Sequence, residues 1–248
     1  MAYKKTSNND KIYSLWQSLQ IRFTSFSVQI DESETSKWWE SVVGEPSEQK
    51  TSLQKLKLYQ ELGSYCNGKL VLSSQLNTVN WIYVPKENEL STGPFIDSLN
   101  DFSKLMPKWF DISPPVNRLA LGLILHVPVK SKEEGYEFIS KLLIDVNVDI
   151  NNFSDFMYQV NKPRKTTTGI ANLNINRLMK WSVALVKNAV FSAGGVEYVA
   201  PSDYSARLEL DINTAAEYKD NFPNDKIHLI YSEFESLAKE ILVSGDKP

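Results

Sequence analysis

The sequence predicts an α+β protein, with a largely antiparallel mixed sheet, about four to five helices and a closing C-terminal amphipathic helix. Three observations lead there. Separate segments carry helix-start chemistry together with an apolar stripe at helical spacing. Between them lie stretches of β-branched and aromatic residues that alternate with a period of two. In the second half these strand-like stretches follow one another through short links, which suits antiparallel neighbours better than a strand-helix-strand-helix rhythm.

The helices come first in the argument because their signals are sharpest. Asp31 with Glu34 resembles a capping box before Trp38, Trp39, Val42 and Val43, and Gly44 with Pro46 ends that run. Gly93-Pro94 opens a second helix presenting Phe95, Leu99, Phe102 and Leu105-Met106, which Pro107 should block. Ser131 with Glu134 caps a third, carrying Phe138, Ile139, Leu142 and Leu143. Asn224 is the expected cap of the last helix, where Ile227, Ile230, Tyr231, Phe234, Leu237, Ala238 and Ile241 keep helical register up to Ser244-Gly245. A weaker helical pattern covers Leu53 to Tyr59.

Strands are expected near 21–30, 69–76, 80–84, 118–127, 155–160, 170–177, 181–186, 197–199 and 204–212. Gly194-Gly195 reads as a turn between the last few of these. The extended segment around Pro114-Pro115 is the best hinge candidate. The chain therefore reads as a single domain over 1–248, with an alternative of two lobes, 12–110 and 117–244, joined there.

Composition fits a folded chain of this size. Its 248 residues are 42% hydrophobic and 11% aromatic, enough apolar material to offset chain entropy. The longest nearly apolar stretch, 119–129, is interrupted by His126 and Pro128 and is far shorter than the roughly 20 residues that span a bilayer. With no apolar leader and with Cys66 as the one cysteine, a cytoplasmic location is expected and a Cys-rich metal site is not. The first ten residues and the run from Ser244 to Pro248 read as polar tails.

Charge is distributed unevenly. From Phe156 to Val196 there is no Asp or Glu, while Lys162, Arg164, Lys165, Arg177, Lys180 and Lys187 give the segment +6 within a chain of net charge −3. Such polarity suggests an anionic partner, drawn by a local positive potential. Lys162, Arg164, Lys165, Arg177 and Lys180 are therefore the candidate contact residues, with Trp38 or Trp181 as an aromatic anchor. A protein partner with an acidic surface and a nucleic-acid backbone both fit this pattern. So does an internal role, in which the basic loop 161–168 faces the acidic segment 31–48 of the same molecule.

Other chemical motifs do not close. Asp145-Val-Asn-Val-Asp-Ile-Asn151 begins like a calcium loop but has Ile150 where the turn needs Gly and Phe156 where a bidentate Glu belongs. Glu217-Tyr-Lys219 and Glu48-Gln-Lys50 can be written as metal-nuclease fragments, yet neither lies in a convincing strand. No phosphate-binding Gly-rich loop and no nucleophile elbow is present. His126 reads as a hydrogen-bonded structural histidine on a strand, and His228 as a surface residue at the start of the last helix. No catalytic residue, metal ligand or cofactor is assigned.

Asn117-Arg-Leu-Ala-Leu-Gly122, Leu208-Glu-Leu-Asp-Ile-Asn213 and the closing Phe234-Glu-Ser-Leu-Ala-Lys-Glu-Ile241 give the chain a resemblance to a sporadically distributed set of bacterial proteins of similar length and unassigned activity. That resemblance supplies no catalytic residues. It implies a bacterial accessory protein, of a kind associated with phage defence or toxin–antitoxin systems. The expected function is non-enzymatic binding, as an adaptor or regulatory subunit; the alternative is a nucleic-acid-binding protein or metal-dependent nuclease.

Overall fold

A computed structural model describes residues 8–27, 29–144, 146–150, 152–192 and 195–246. It has an α+β architecture built on one ten-stranded antiparallel sheet. In chain order the elements are α1 (Asn8–Leu15), β1 (Gln17–Ser27), α2 (Glu32–Val43), β2 (Gln49–Leu53), β3 (Leu58–Tyr65), β4 (Gly68–Gln75), β5 (Thr78–Pro85), α3 (Phe95–Ser103) and α4 (Met106–Ile112). After Pro114-Pro115 come β6 (Val116–Val129), α5 (Lys132–Ser140), β7 (Met157–Asn161), β8 (Arg164–Lys165), β9 (Asn174–Ser192), β10 (Gly195–Thr214) and α6 (Asn224–Ser244).

The sheet runs β2-β3-β4-β5-β1-β6-β10-β9-β7, with β8 also paired to β9. The order is symmetric about the β1–β6 ladder. Before Pro114-Pro115, a strand is followed by a helix, then by antiparallel strands whose last member returns beside the first, then by helix; after it, the same sequence of elements repeats. The two halves share one continuous sheet, because β1 and β6 pair antiparallel along most of their length.

Alternation assigns the two faces of this sheet. Ile21, Phe23, Leu70, Leu72, Val79, Trp81, Leu121, Leu123, Met179, Trp181, Leu208 and Leu210 are buried on one face, against α2 to α6. The Trp109 indole of α4 donates to Ser25 Oγ on β1 at 3.2 Å, and Trp39 of α2 stacks on Trp81. Close approach on this side shapes the sequence at Gly135 of α5, where an added Cβ would lie 2.9 Å from the Val183 methyls. The contacts of α2, α4 and α5 just named fall on this face.

Local chemistry explains most boundaries. Asp31 caps α2 by accepting from Ser33 N at 2.9 Å, and Gly44 ends it in the left-handed region at φ 92°. Ser131 caps α5 through Glu134 N. Several expectations are corrected. Pro107 does not stop the second helical region but lies in the first turn of a new helix, α4, where a missing N–H costs nothing. The Leu53–Tyr59 segment is a hairpin, with a 3₁₀ turn at Gln54–Leu56, because Tyr59, Glu61 and Gly63 point inward at period two. Pro223, not Asn224, occupies the cap position of α6. The two strands expected at 170–177 and 181–186 are one, β9.

The polar ends are also ordered further than their composition suggests. Residues 8–15 form α1. Asp246 is fully buried, and Gly245 before it adopts φ 67° with its Cα against the Leu142 carbonyl. Residues 1–7, 247–248, Gly194 of the expected glycine turn, and Asp145 and Asn151 of the calcium-like segment lie outside the described residues. Among the described residues, no helix is long and apolar enough to cross a membrane.

Candidate functional site

The expected basic segment is drawn into the molecule's own ionic contacts. Arg164 Nη1 lies 3.0 Å from Glu240 Oε2 on α6. Arg177, only 4% exposed, donates through Nε to the Lys162 carbonyl at 2.9 Å and sits 3.8 Å from Glu240 Oε1. Burial pushes its guanidinium below the ordinary value, and Glu240 opposes that shift. Lys162 Nζ lies 3.5 Å from the Asp246 carboxylate and donates to the Asp246 carbonyl. Glu233, itself buried, accepts from Thr167 N at 2.8 Å and from Thr166 Oγ1 at 2.6 Å. The acidic groups facing the loop therefore come from α6 and its C-terminal continuation, not from 31–48.

Neither proposed aromatic anchor is on the surface. Trp38 is 4% exposed and packs edge-on against Trp109; Trp181 is fully buried and meets Trp16 edge-on. Withdrawing either ring from the core would cost about 2–3 kcal/mol of burial. Both are corrected to core residues. Of the named contact residues, Lys165 and Lys180 lie on the uncovered face of the sheet: Lys165 pairs with Asn174, in the same phase of β9 as Lys180, while Arg164 pairs with Ile175 on the helix side.

That uncovered face is the better candidate. Across its centre, pairing places Arg22, Gly122, Asp211 and Leu178 in one row, and Gln20, Ile124, Glu209, Lys180 and Gln159 in the next. Arg118 and Asn213 extend it at one end; His126 and Arg207 extend it at the other. A cleft of about 370 Å³ opens here, with Arg22, Gly122, Lys180, Glu209 and Asp211 in its lining.

Gly122 matters because it has no side chain. The Arg22 guanidinium lies across it, so that a Cβ at Gly122 would meet Arg22 Nη2 at 3.3 Å and Nε at 3.4 Å. Arg22 Nε is buried without a hydrogen-bond partner, and among the described residues Arg22 makes no ion pair. Glu209 is already shared by Lys180 and Arg207, each at 3.2 Å. The Arg207 contact is an ion pair by distance only, since its Nε is not aligned for a hydrogen bond. Asp211 accepts from Asn213 Nδ2 at 2.9 Å, and Asn213 Oδ1 in turn accepts from Asn176 at 3.1 Å and Arg118 at 3.5 Å.

His126 departs from the sequence expectation. It is buried on this face, but both ring nitrogens lack partners instead of being hydrogen-bonded. Burial, reinforced by the nearby Arg207 charge, holds its pKa below the ordinary histidine value. His228 is half-buried, with its ring edge-on to Phe110 at 4.9 Å. Glu217 and Lys219 lie outside any strand, and among the described residues no group of three or more His, Cys, Asp or Glu side chains converges as a metal site.

Sequence reasoning missed Arg22 and Arg207 because each is a single basic residue among polar neighbours. A signal was present in the alternation itself: Arg22, Thr24, Arg118, Arg207, Glu209 and Asp211 all occupy the polar phase of strands whose other phase is apolar. What the sequence could not supply was the order of strands that brings them together. No protein-family model and no curated protein matches this chain.

Proposed function

We propose that the chain works by binding, as an adaptor or regulatory subunit, and that it presents the uncovered face of its sheet to a protein partner with an acidic surface. The observation that carries this reading is the one-sided sheet. Its helices and large aromatic residues are gathered on one face, while the other displays Lys69, Arg22, Arg118, Lys180 and Arg207 against Glu209 and Asp211. A positive face on a chain of net charge −3 favours encounter with an acidic surface. The resemblance noted in the sequence suggests a bacterial multi-protein system, of the phage-defence or toxin–antitoxin kind, as the setting, and the single cysteine fits the cytoplasm as the compartment.

Nucleic acid is the less supported partner. Binding of unpaired bases relies on exposed aromatic platforms. On this face the aromatic ring paired with a cation is Phe26, and Arg118 already covers it at 5.1 Å.

The test is site-directed photo-crosslinking in an extract of the native host. Probes at Gln60 and Gln159, on opposite wings of the uncovered face, should capture the same protein, and a probe at Ser36 on α2 should not. Capture from Ser36 with none from the two sheet positions would move the contact surface to the helical side and overturn the proposal.

A further inference from the structure

We propose that the cleft at the β1–β6 seam is a receptor for a single oxyanion group, a carboxylate or a phosphate, gripped by the Arg22 guanidinium with Lys180 at its rim. The proposal rests on the uncovered face being the contact surface and names the chemical group that enters it.

The charges of the cleft are unevenly satisfied. Glu209 answers Lys180 and Arg207, and Asp211 is engaged by Asn213, whereas Arg22 has no counter-ion among the described residues. Its Nε–H has no acceptor among the described residues, and the Arg22 side chain lines the cleft, where an entering oxygen meets the guanidinium. A planar guanidinium with fixed, forked donors matches the paired oxygens of a carboxylate or phosphate.

Geometry limits what fits. Gly122 provides the open floor over which the guanidinium extends, and the seam between the two halves is the kind of junction where ligand clefts form. The volume of about 370 Å³ admits an oxyanion with a short substituent. Glu209 and Asp211 on the β10 wall repel a second negative group, so the ligand's charge must sit on the β1 side, beside Arg22. One register step away, His126 and Arg207 add unpartnered ring nitrogens and another cation at the end of the same row of strands.

The experiment is a titration of the full chain with inorganic phosphate and, separately, with succinate, followed through the Gly122 backbone amide and the Arg22 Nε–H by ¹H–¹⁵N NMR. A saturable shift at both groups is expected with at least one anion. Arg22→Gln should weaken that binding at least tenfold, and Gly122→Ala, which forces the guanidinium to move, should weaken it while leaving the rest of the spectrum in place. Lys162→Ala, in the loop held by α6, should leave the affinity within twofold. Tighter phosphate assigns a phosphoryl ligand, and tighter succinate assigns a carboxylate; either supports the receptor. No saturable shift with either anion, or unchanged affinity in Arg22→Gln, would overturn it. Anion binding without crosslinks at Gln60 and Gln159 would leave the receptor standing and remove the protein-contact reading. Crosslinks without anion binding would do the reverse.

Discussion

Arg22 and Gly122 face each other across the β1–β6 ladder, and the guanidinium of one lies so close over the other that an added Cβ would stand 3.3 Å from its Nη2. The pair sits where the two halves of the sheet meet. The uncovered face thus has room for the Arg22 guanidinium because the neighbouring strand carries no side chain at Gly122, and it owes its polarity to the phase of strands whose other side builds the core.

The end of the chain acts as a latch. Gly245 has φ 67°, and a Cβ there would fall 1.7 Å from the Leu142 carbonyl oxygen, a backbone atom that cannot rotate away. Gly245→Ala should therefore destabilise the protein by about 2 kcal/mol or more, combining left-handed strain with displacement of the 142–144 backbone. Urea denaturation measures this, and a change below about 0.5 kcal/mol would show that the latch is not seated as described.

Asp246 completes the latch. Its carboxylate accepts from Ile144 N at 3.1 Å and Tyr158 Oη at 3.3 Å, and lies 3.5 Å from Lys162 Nζ. Asp246→Ala should cost about 2–3 kcal/mol in chemical denaturation, less than a fully enclosed pair because Lys162 retains some exposure to water. Replacing both, Asp246→Ala with Lys162→Met, should recover part of that loss.

Glu233 ties the basic loop to α6 through Thr166 and Thr167. Glu233→Ala should release the loop locally, so that limited trypsin digestion cuts after Arg164 or Lys165 several times faster than in the parent chain, under conditions where both remain folded. Equal cleavage rates would indicate that Thr166 and Thr167 do not depend on this carboxylate.

His126 makes stability depend on pH with a defined sign. Its folded pKa is lowered by burial and by Arg207 from β10, while Gln17, its register partner on β1, is uncharged. Below the unfolded value of about 6.5 the unfolded chain binds more protons at this site than the folded one, so stability falls as pH drops from there to the folded pKa. His126→Gln should lose less stability than the parent between pH 7.5 and pH 5.5, by up to about 1 kcal/mol. Parallel pH profiles for the two proteins would contradict the buried, neutral ring.

Much of the fold is readable from local chemistry. The Asp31 and Ser131 caps, the apolar face of α6 and the alternation in β1, β6 and β10 all act over a few residues, where propensity and burial agree. The misreadings arise where tertiary context decides. Leu53–Tyr59 carries a helix-compatible pattern but is claimed by strand pairing with β4, and Asp246 looks like a tail residue until Lys162 and Tyr158 enclose it. The candidate site shows the same division. The acid-free run from 156 to 196 is visible in the sequence, yet its partners on α6 are sixty or more positions away from the loop in the chain for Thr166, Thr167 and Arg164. Arg22, from the other half of the chain, reaches Gly122 through a strand order that no local signal encodes.

The central claim is that the uncovered sheet face, not the basic loop, makes the functional contact. Its most direct test compares recovery of the crosslinked partner by three forms of the chain: the parent, Arg22→Glu with Lys69→Glu on the sheet face, and Lys162→Ala with Arg164→Ala in the loop, whose side chains face α6. The account predicts that the sheet-face variant loses at least tenfold in affinity while the loop variant, where it remains folded, binds within twofold of the parent. Full binding by the sheet-face variant together with loss in the folded loop variant would contradict it.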